Sequence, residues 1–140
     1  MKNRIVKYIV LMIICSLAMS FSISVCASSK KKIMVKKVSA RMVGNTIKVK
    51  VRINNKFKKK EATYSEEFYV YKKETGKWKK INWTDEYGFD DVENVINPGT
   101  KVTKVFFVNQ KYLNEKILEG KVYKIIFKVS GKKKSIKFKI

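Results

Sequence analysis

Hydrophobic and polar residues alternate without a break over residues 46–53, where Ile47, Val49, Val51 and Ile53 fall on one side of the chain and Lys48, Lys50 and Arg52 on the other. A period of two marks a half-buried β-strand, because successive side chains of an extended chain point to opposite faces. Gly44-Asn45 before this run predicts a turn back to an earlier strand over residues 33–38, and Asn54-Asn55 ends it. Residues 67–73 and 77–83 form two further candidates joined by Glu74-Thr75-Gly76, so they read as a hairpin whose glycine takes a positive φ. Residues 102–108 resume as a strand after an irregular section over 84–100 that Asn97-Pro98-Gly99 closes. A short connector over 112–119, at most one helical turn, precedes Gly120. Beyond it Tyr123, Ile125, Phe127 and Val129 share a face in residues 122–129. Ser130-Gly131-Lys132 then turns the chain into residues 135–140, with Ile136, Phe138 and Ile140 inward and Lys137 and Lys139 outward.

Seven short strands at regular spacing without a long helix predict an all-β domain. Each sheet has one apolar face, and stacking two such faces buries both, so an immunoglobulin-like two-sheet sandwich over residues 33–140 is the expected architecture. A small closed barrel is the alternative, because strand count alone does not separate the two.

The first 27 residues follow a different pattern. Lys2, Arg4 and Lys7 precede an uncharged run from Tyr8 to Val25, and Val25-Cys26-Ala27 supplies modest side chains at a cleavage position. This is the layout of a secretory signal peptide. A retained membrane anchor is the alternative, and Ser16, Ser20, Ser22 and Ser24 make the run less apolar than a lasting span requires. A lipid-modified Cys26 is disfavoured by Val25, where such a site takes Gly, Ala or Ser. Ser28-Ser29-Lys30-Lys31-Lys32 reads as a basic disordered leader with nothing apolar to bury.

Cleavage after Ala27 removes Cys15 and Cys26 and leaves one domain held by packing alone, in a secreted or cell-surface protein. The chain has no histidine, which removes the commonest general base, the usual catalytic triads and most zinc sites. No enzyme activity, cofactor or metal is expected. Residues 28–140 carry thirty basic side chains against eleven acidic ones, a net charge of +19. Such a charge opposes compactness and draws in polyanions from about a Debye length away, roughly 8 to 10 Å. Outside the cell the available polyanions are anionic wall polymers and lipid headgroups, so one of these, or a surface protein, is the expected partner and nucleic acid is not.

From Tyr64 onward, about half the chain, the sequence resembles the bacterial immunoglobulin-like domains of exported Gram-positive proteins, some of them joined to membrane sensor peptidases. The resemblance rests on Tyr69-Val70-Tyr71-Lys72-Lys73 leading through Gly76-Lys77-Trp78, on Asn97-Pro98-Gly99-Thr100, and on Leu118-Glu119-Gly120-Lys121-Val122-Tyr123-Lys124-Ile125. Two departures stand out: the glycine usual before the first aromatic strand is replaced around Ser65-Glu66, and Val122 is an extra residue between Gly120 and Tyr123. The family has no catalytic motif, so the resemblance implies a fold and a compartment rather than a reaction.

The candidate polyanion-binding residues are Lys48, Lys50, Arg52, Lys124, Lys128, Lys137 and Lys139, weighed against a solvated face whose lysines merely keep sheet edges apart. Lysine outnumbers arginine thirty to three, which favours avidity for a charged polymer or surface over bidentate phosphate reading. Trp78 is assigned to the core, and Trp83 and Tyr87 are the candidates for stacking on a ligand. Residues 81–100 hold Asp85, Glu86, Asp90, Asp91 and Glu93 without a Lys or Arg. They read as a solvated acidic loop packed against its own basic domain in preference to a calcium site or a glycosidase pair.

Overall fold

The structure, a computed structural model, describes residues 32–140. The expected signal peptide over residues 1–27 and all but the last residue of the expected leader lie outside them. Eight strands follow in order: β1 (Ile33–Val43), β2 (Thr46–Asn55), β3 (Ala62–Glu74), β4 (Lys77–Ile81), β5 (Glu93–Ile96), β6 (Lys101–Asn109), β7 (Val122–Val129) and β8 (Lys132–Lys139), with one 3₁₀ turn at Gln110–Tyr112. They form two antiparallel sheets. Sheet A has the order β1-β2-β6, and sheet B the order β4-β3-β7-β8 with β5 pairing the first half of β3. This is a sandwich rather than a closed barrel.

The alternation read from the sequence supplies the core. Ile47, Val49, Val51 and Ile53 of β2 with Phe106 and Val108 of β6 meet Phe68 and Val70 of β3, Tyr123, Ile125, Phe127 and Val129 of β7, and Ile136 and Phe138 of β8. Each sheet hides one apolar face against the other, so the side chains between them must point outward.

Two turns close their hairpins through residues with positive φ. Thr75 and Gly76 (φ 44° and 80°) join β3 to β4, and Ser130 and Gly131 (47° and 71°) join β7 to β8. Positive φ at both central positions gives the backbone twist that matches a right-handed hairpin.

β5 is a strand inside the section expected to be irregular. Glu93-Asn94-Val95-Ile96 lacks both alternation and β-formers at its start, and it becomes a strand only by pairing with Ala62–Ser65, four residues themselves outside the expected strand. Between Tyr64 and Phe68 the β3 register slips against β7: Tyr64 faces Val129 and Phe68 faces Phe127. Four steps on β3 thus match two on β7, a bulge in which the Glu67 amide donates to Ser65 Oγ at 3.0 Å. It lies around Ser65-Glu66, where the sequence departs from the domains it resembles.

Candidate polyanion-binding surfaces

Three strands of sheet A contain eight cationic residues and not one carboxylate. Strand pairing places six of them on the outer face: Lys36 opposite Arg52, Arg41 opposite Lys48, Lys50 opposite Ser39, and Lys101 opposite Asn54. The expected trio of Lys48, Lys50 and Arg52 is therefore the middle row of a wider field. Lys36, Arg41 and Lys101 were missed because only strand pairing reveals them as neighbours. At one end Met34, Lys36, Arg52, Asn54, Lys56 and Lys101 line a shallow cavity of about 270 Å³ in which four cations meet no acid. At the other end Phe107, 51% exposed, lies beside Lys48, whose Nζ is 5.8 Å from the ring centre.

The outer face of sheet B is also basic but built differently. Lys124 pairs with Lys137, Lys128 with Lys133, and Val122 with Lys139, so the four expected residues Lys124, Lys128, Lys137 and Lys139 share one face on adjacent strands. Lys80 and Tyr71 extend the Lys124 row across β3 and β4, and Lys73 and Trp78 lie one row beyond. Lys124 Nζ sits 4.4 Å from the Trp78 ring centre and 5.0 Å from that of Tyr71, Lys137 Nζ 5.9 Å from Trp78, and Lys80 Nζ 4.2 Å from Tyr69. Ammonium groups held over rings keep their charge in solvent while their methylene stems and the rings cover the sheet.

Trp78 is thus on the outer face and not in the core. The reason is parity: Ile81 is the buried residue of β4, so Lys79 and Lys77 share its side and Trp78 points away. Trp83 and Tyr87 are corrected in the opposite sense. Their rings stack on one another at 4.2 Å and 15°, Phe68 and Phe89 pack edge-on against Trp83, and the indole N–H donates to the Phe68 carbonyl at 3.2 Å. Tyr87 also meets Phe89 and Tyr112. Burial, with the Glu66 charge nearby, raises its phenol above the ordinary value. These rings form an aromatic annex of the core in which Trp83 and Tyr87 each cover one face of the other and remain half-buried.

Most of the carboxylates lie away from the basic faces. All eleven fall in β3, in the first residue of β5 or in loops, and none in the other six strands. Glu66 pairs with Lys104, which points inward from β6, and accepts from Asn94 at 2.9 Å. Glu115 accepts from Lys79 at 2.5 Å and lies 3.5 Å from Lys72, which bonds Glu74 at 2.7 Å. The hydrogen bond from Lys79 holds the Glu115 carboxyl below its ordinary value, and that from Lys72 does the same for Glu74. Among the described residues no three acidic side chains gather in a way that could hold a metal ion. On the outer side of sheet B, Glu67 accepts from the Tyr69 hydroxyl, and Glu93 at the head of β5 shares the outward parity of exposed Val95.

One last contact bears on ancestry. Buried Tyr123, near the start of β7, accepts from the Leu118 amide at 2.8 Å and donates back to the Leu118 carbonyl at 3.2 Å. A tyrosine hydroxyl reaching the backbone a few residues upstream of its strand recurs in immunoglobulin-type sandwiches. The family model described as "Bacterial Ig-like domain" matches residues 28–139. The chain belongs to that family. A search of curated proteins finds no match. The family match extends the resemblance back from Tyr64 through β1 and β2, and so takes in sheet A and its basic face. Membership in the bacterial Ig-like family points to a non-enzymatic module.

Proposed function

We infer that this bacterial Ig-like domain is an exported, non-catalytic binding module that contacts anionic envelope polymer at the cell surface by long-range attraction. The observation that carries this reading is where the cations sit. Edge strands often bear lysine to block pairing with other chains, and β1 and β8 fit that use. However, Lys48, Lys50 and Arg52 project from β2, between β1 and β6, and Lys124 and Lys128 from β7, between β3 and β8. Interior strands need no such guard. Solubility does not call for a net charge of +19 either, since a magnitude of about 2 to 8 suffices for a small domain. Export is supported by the Lys2-to-Ala27 layout and by the family.

The test is sedimentation of residues 28–140, which contain the whole described core, with bacterial cell walls that retain or lack their anionic polymers. Binding at low salt that disappears on stripping and at high salt is the expected result. Binding indifferent to both would overturn the reading in favour of a protein partner. Exposed Val92 and Val95 beside the β5 edge would then be the place to look for a docked strand.

A further inference from the structure

The two basic faces cannot meet the same flat surface. They are the outer sides of two stacked sheets, about 10 Å apart at the backbone, and their lysines point in opposite directions. With a lysine stem added on each side, the two layers of charge lie further apart than the Debye length of about 8 Å at physiological ionic strength. Polyanion held on one face therefore leaves the opposite face un-neutralised and able to attract a second segment. On β2 the cations recur every second residue, roughly 6.8 Å apart along an extended strand, a row that suits a linear chain with regularly repeated charges.

Resting on the reading above, we propose that the domain is bivalent: each outer face holds a separate segment of a linear, phosphate-bearing polymer, so one molecule cross-links two chains. A membrane would use one face and waste the other, whereas flexible polymers engage both. The faces differ in character. Sheet A presents Lys36, Lys48, Lys50 and Arg52 on strands without acids, with only Lys48 near a ring, that of Phe107. On sheet B, Lys124 and Lys137 are held over Trp78, so less side-chain freedom is lost when an anion arrives. Two moderate sites on one rigid body gain in avidity by acting together.

Long-chain inorganic polyphosphate is the probe, with light scattering reporting cross-linking and co-sedimentation reporting binding. Three variants of residues 28–140 each remove four charges by Lys→Gln or Arg→Gln. The first changes Lys36, Lys48, Lys50 and Arg52 of sheet A. The second changes Lys124, Lys128, Lys137 and Lys139 of sheet B. The third changes Lys58, Lys59, Lys116 and Lys121, which are exposed loop residues off both faces. The unaltered domain and the loop variant should scatter strongly, with the signal falling again at excess polymer. Each face variant should still bind but lose about tenfold or more of its scattering. Equal loss in the loop variant would show that net charge alone is responsible and would overturn bivalency. So would binding by the unaltered domain without scattering, or strong scattering by both face variants. Absence of binding altogether would defeat the underlying function. Scattering from phosphatidylglycerol vesicles but not from polyphosphate would assign the faces to membranes and contradict the polymer proposal.

Discussion

The side-chain amide of Asn55 donates to the carbonyls of Lys60, Ile96 and Asn97 at 2.9, 3.0 and 3.3 Å, and its oxygen accepts from the Phe57 amide at 3.1 Å. It is the fully buried polar residue at the end of β2, and its backbone amide bonds the Thr100 carbonyl. One side chain thus ties sheet A to β5 in sheet B. Removing it leaves several buried backbone groups without partners, so Asn55→Ala should lower stability by about 2 to 3 kcal/mol in urea unfolding. Tyr123→Phe keeps the ring against Phe138 and deletes only the two bonds to Leu118, for an expected loss of about 1 to 2 kcal/mol by the same measurement. A cost near zero for either change would mean that water replaces these partners. The sequence marks Asn55 as the residue that stops a strand, whereas its role as an inter-sheet tie depends on Ile96, forty-one positions away.

At the scale of elements, legibility followed the range of the interactions. Strand β7 was read with its observed ends, and the turns at Gly76 and Gly131 were anticipated, because alternation and turn chemistry are local signals. Gly131 has open space where a side chain would begin, so Gly131→Ala should cost about 1 kcal/mol purely from its φ of 71°. A thermal melt unchanged by that substitution would contradict this account of the hairpin. Strand β5 and the start of β3 were illegible because each is a strand only through the other. The aromatic assignments for Trp78 and Trp83 were reversed for a related reason. Parity from Ile81 was available to place Trp78 outside, but the stack of Trp83 on Tyr87 depends on the fold of the loop. On the β3–β4 edge, Glu74 and Glu115 have carboxyls held below their ordinary value in the folded state. Their stabilising contribution is present above the unfolded carboxylate pKa, about 4.3, and is lost as pH falls through that value and the lower folded ones. Glu115→Gln should therefore flatten the fall of the melting temperature below about pH 4, and an unchanged pH profile would show the Lys72–Lys79–Glu115 cluster to be without effect.

At the scale of the whole molecule, the sandwich separates charge by sign and by side: cations on two opposed faces, acids in loops, β3 and the head of β5. The sequence made the seven candidate cations visible and the grouping of the four on β7 and β8 predictable, but not that the other three lie on the opposite side of the sandwich. Lys48, Lys50 and Arg52 belong to sheet A and the other four to sheet B, a division set by sheet membership and not by any local pattern. If attraction to polyanion is what the charge is for, binding must respond to counterions. The most direct measurement is the affinity of residues 28–140 for long-chain polyphosphate across a series of salt concentrations. A straight, steep fall on logarithmic axes is predicted, and the slope should shrink by roughly 0.7 to 0.9 for each face cation that contacted phosphate and is replaced by Gln, as counterion release does for nucleic acid. An affinity that stays level as salt rises would contradict the account.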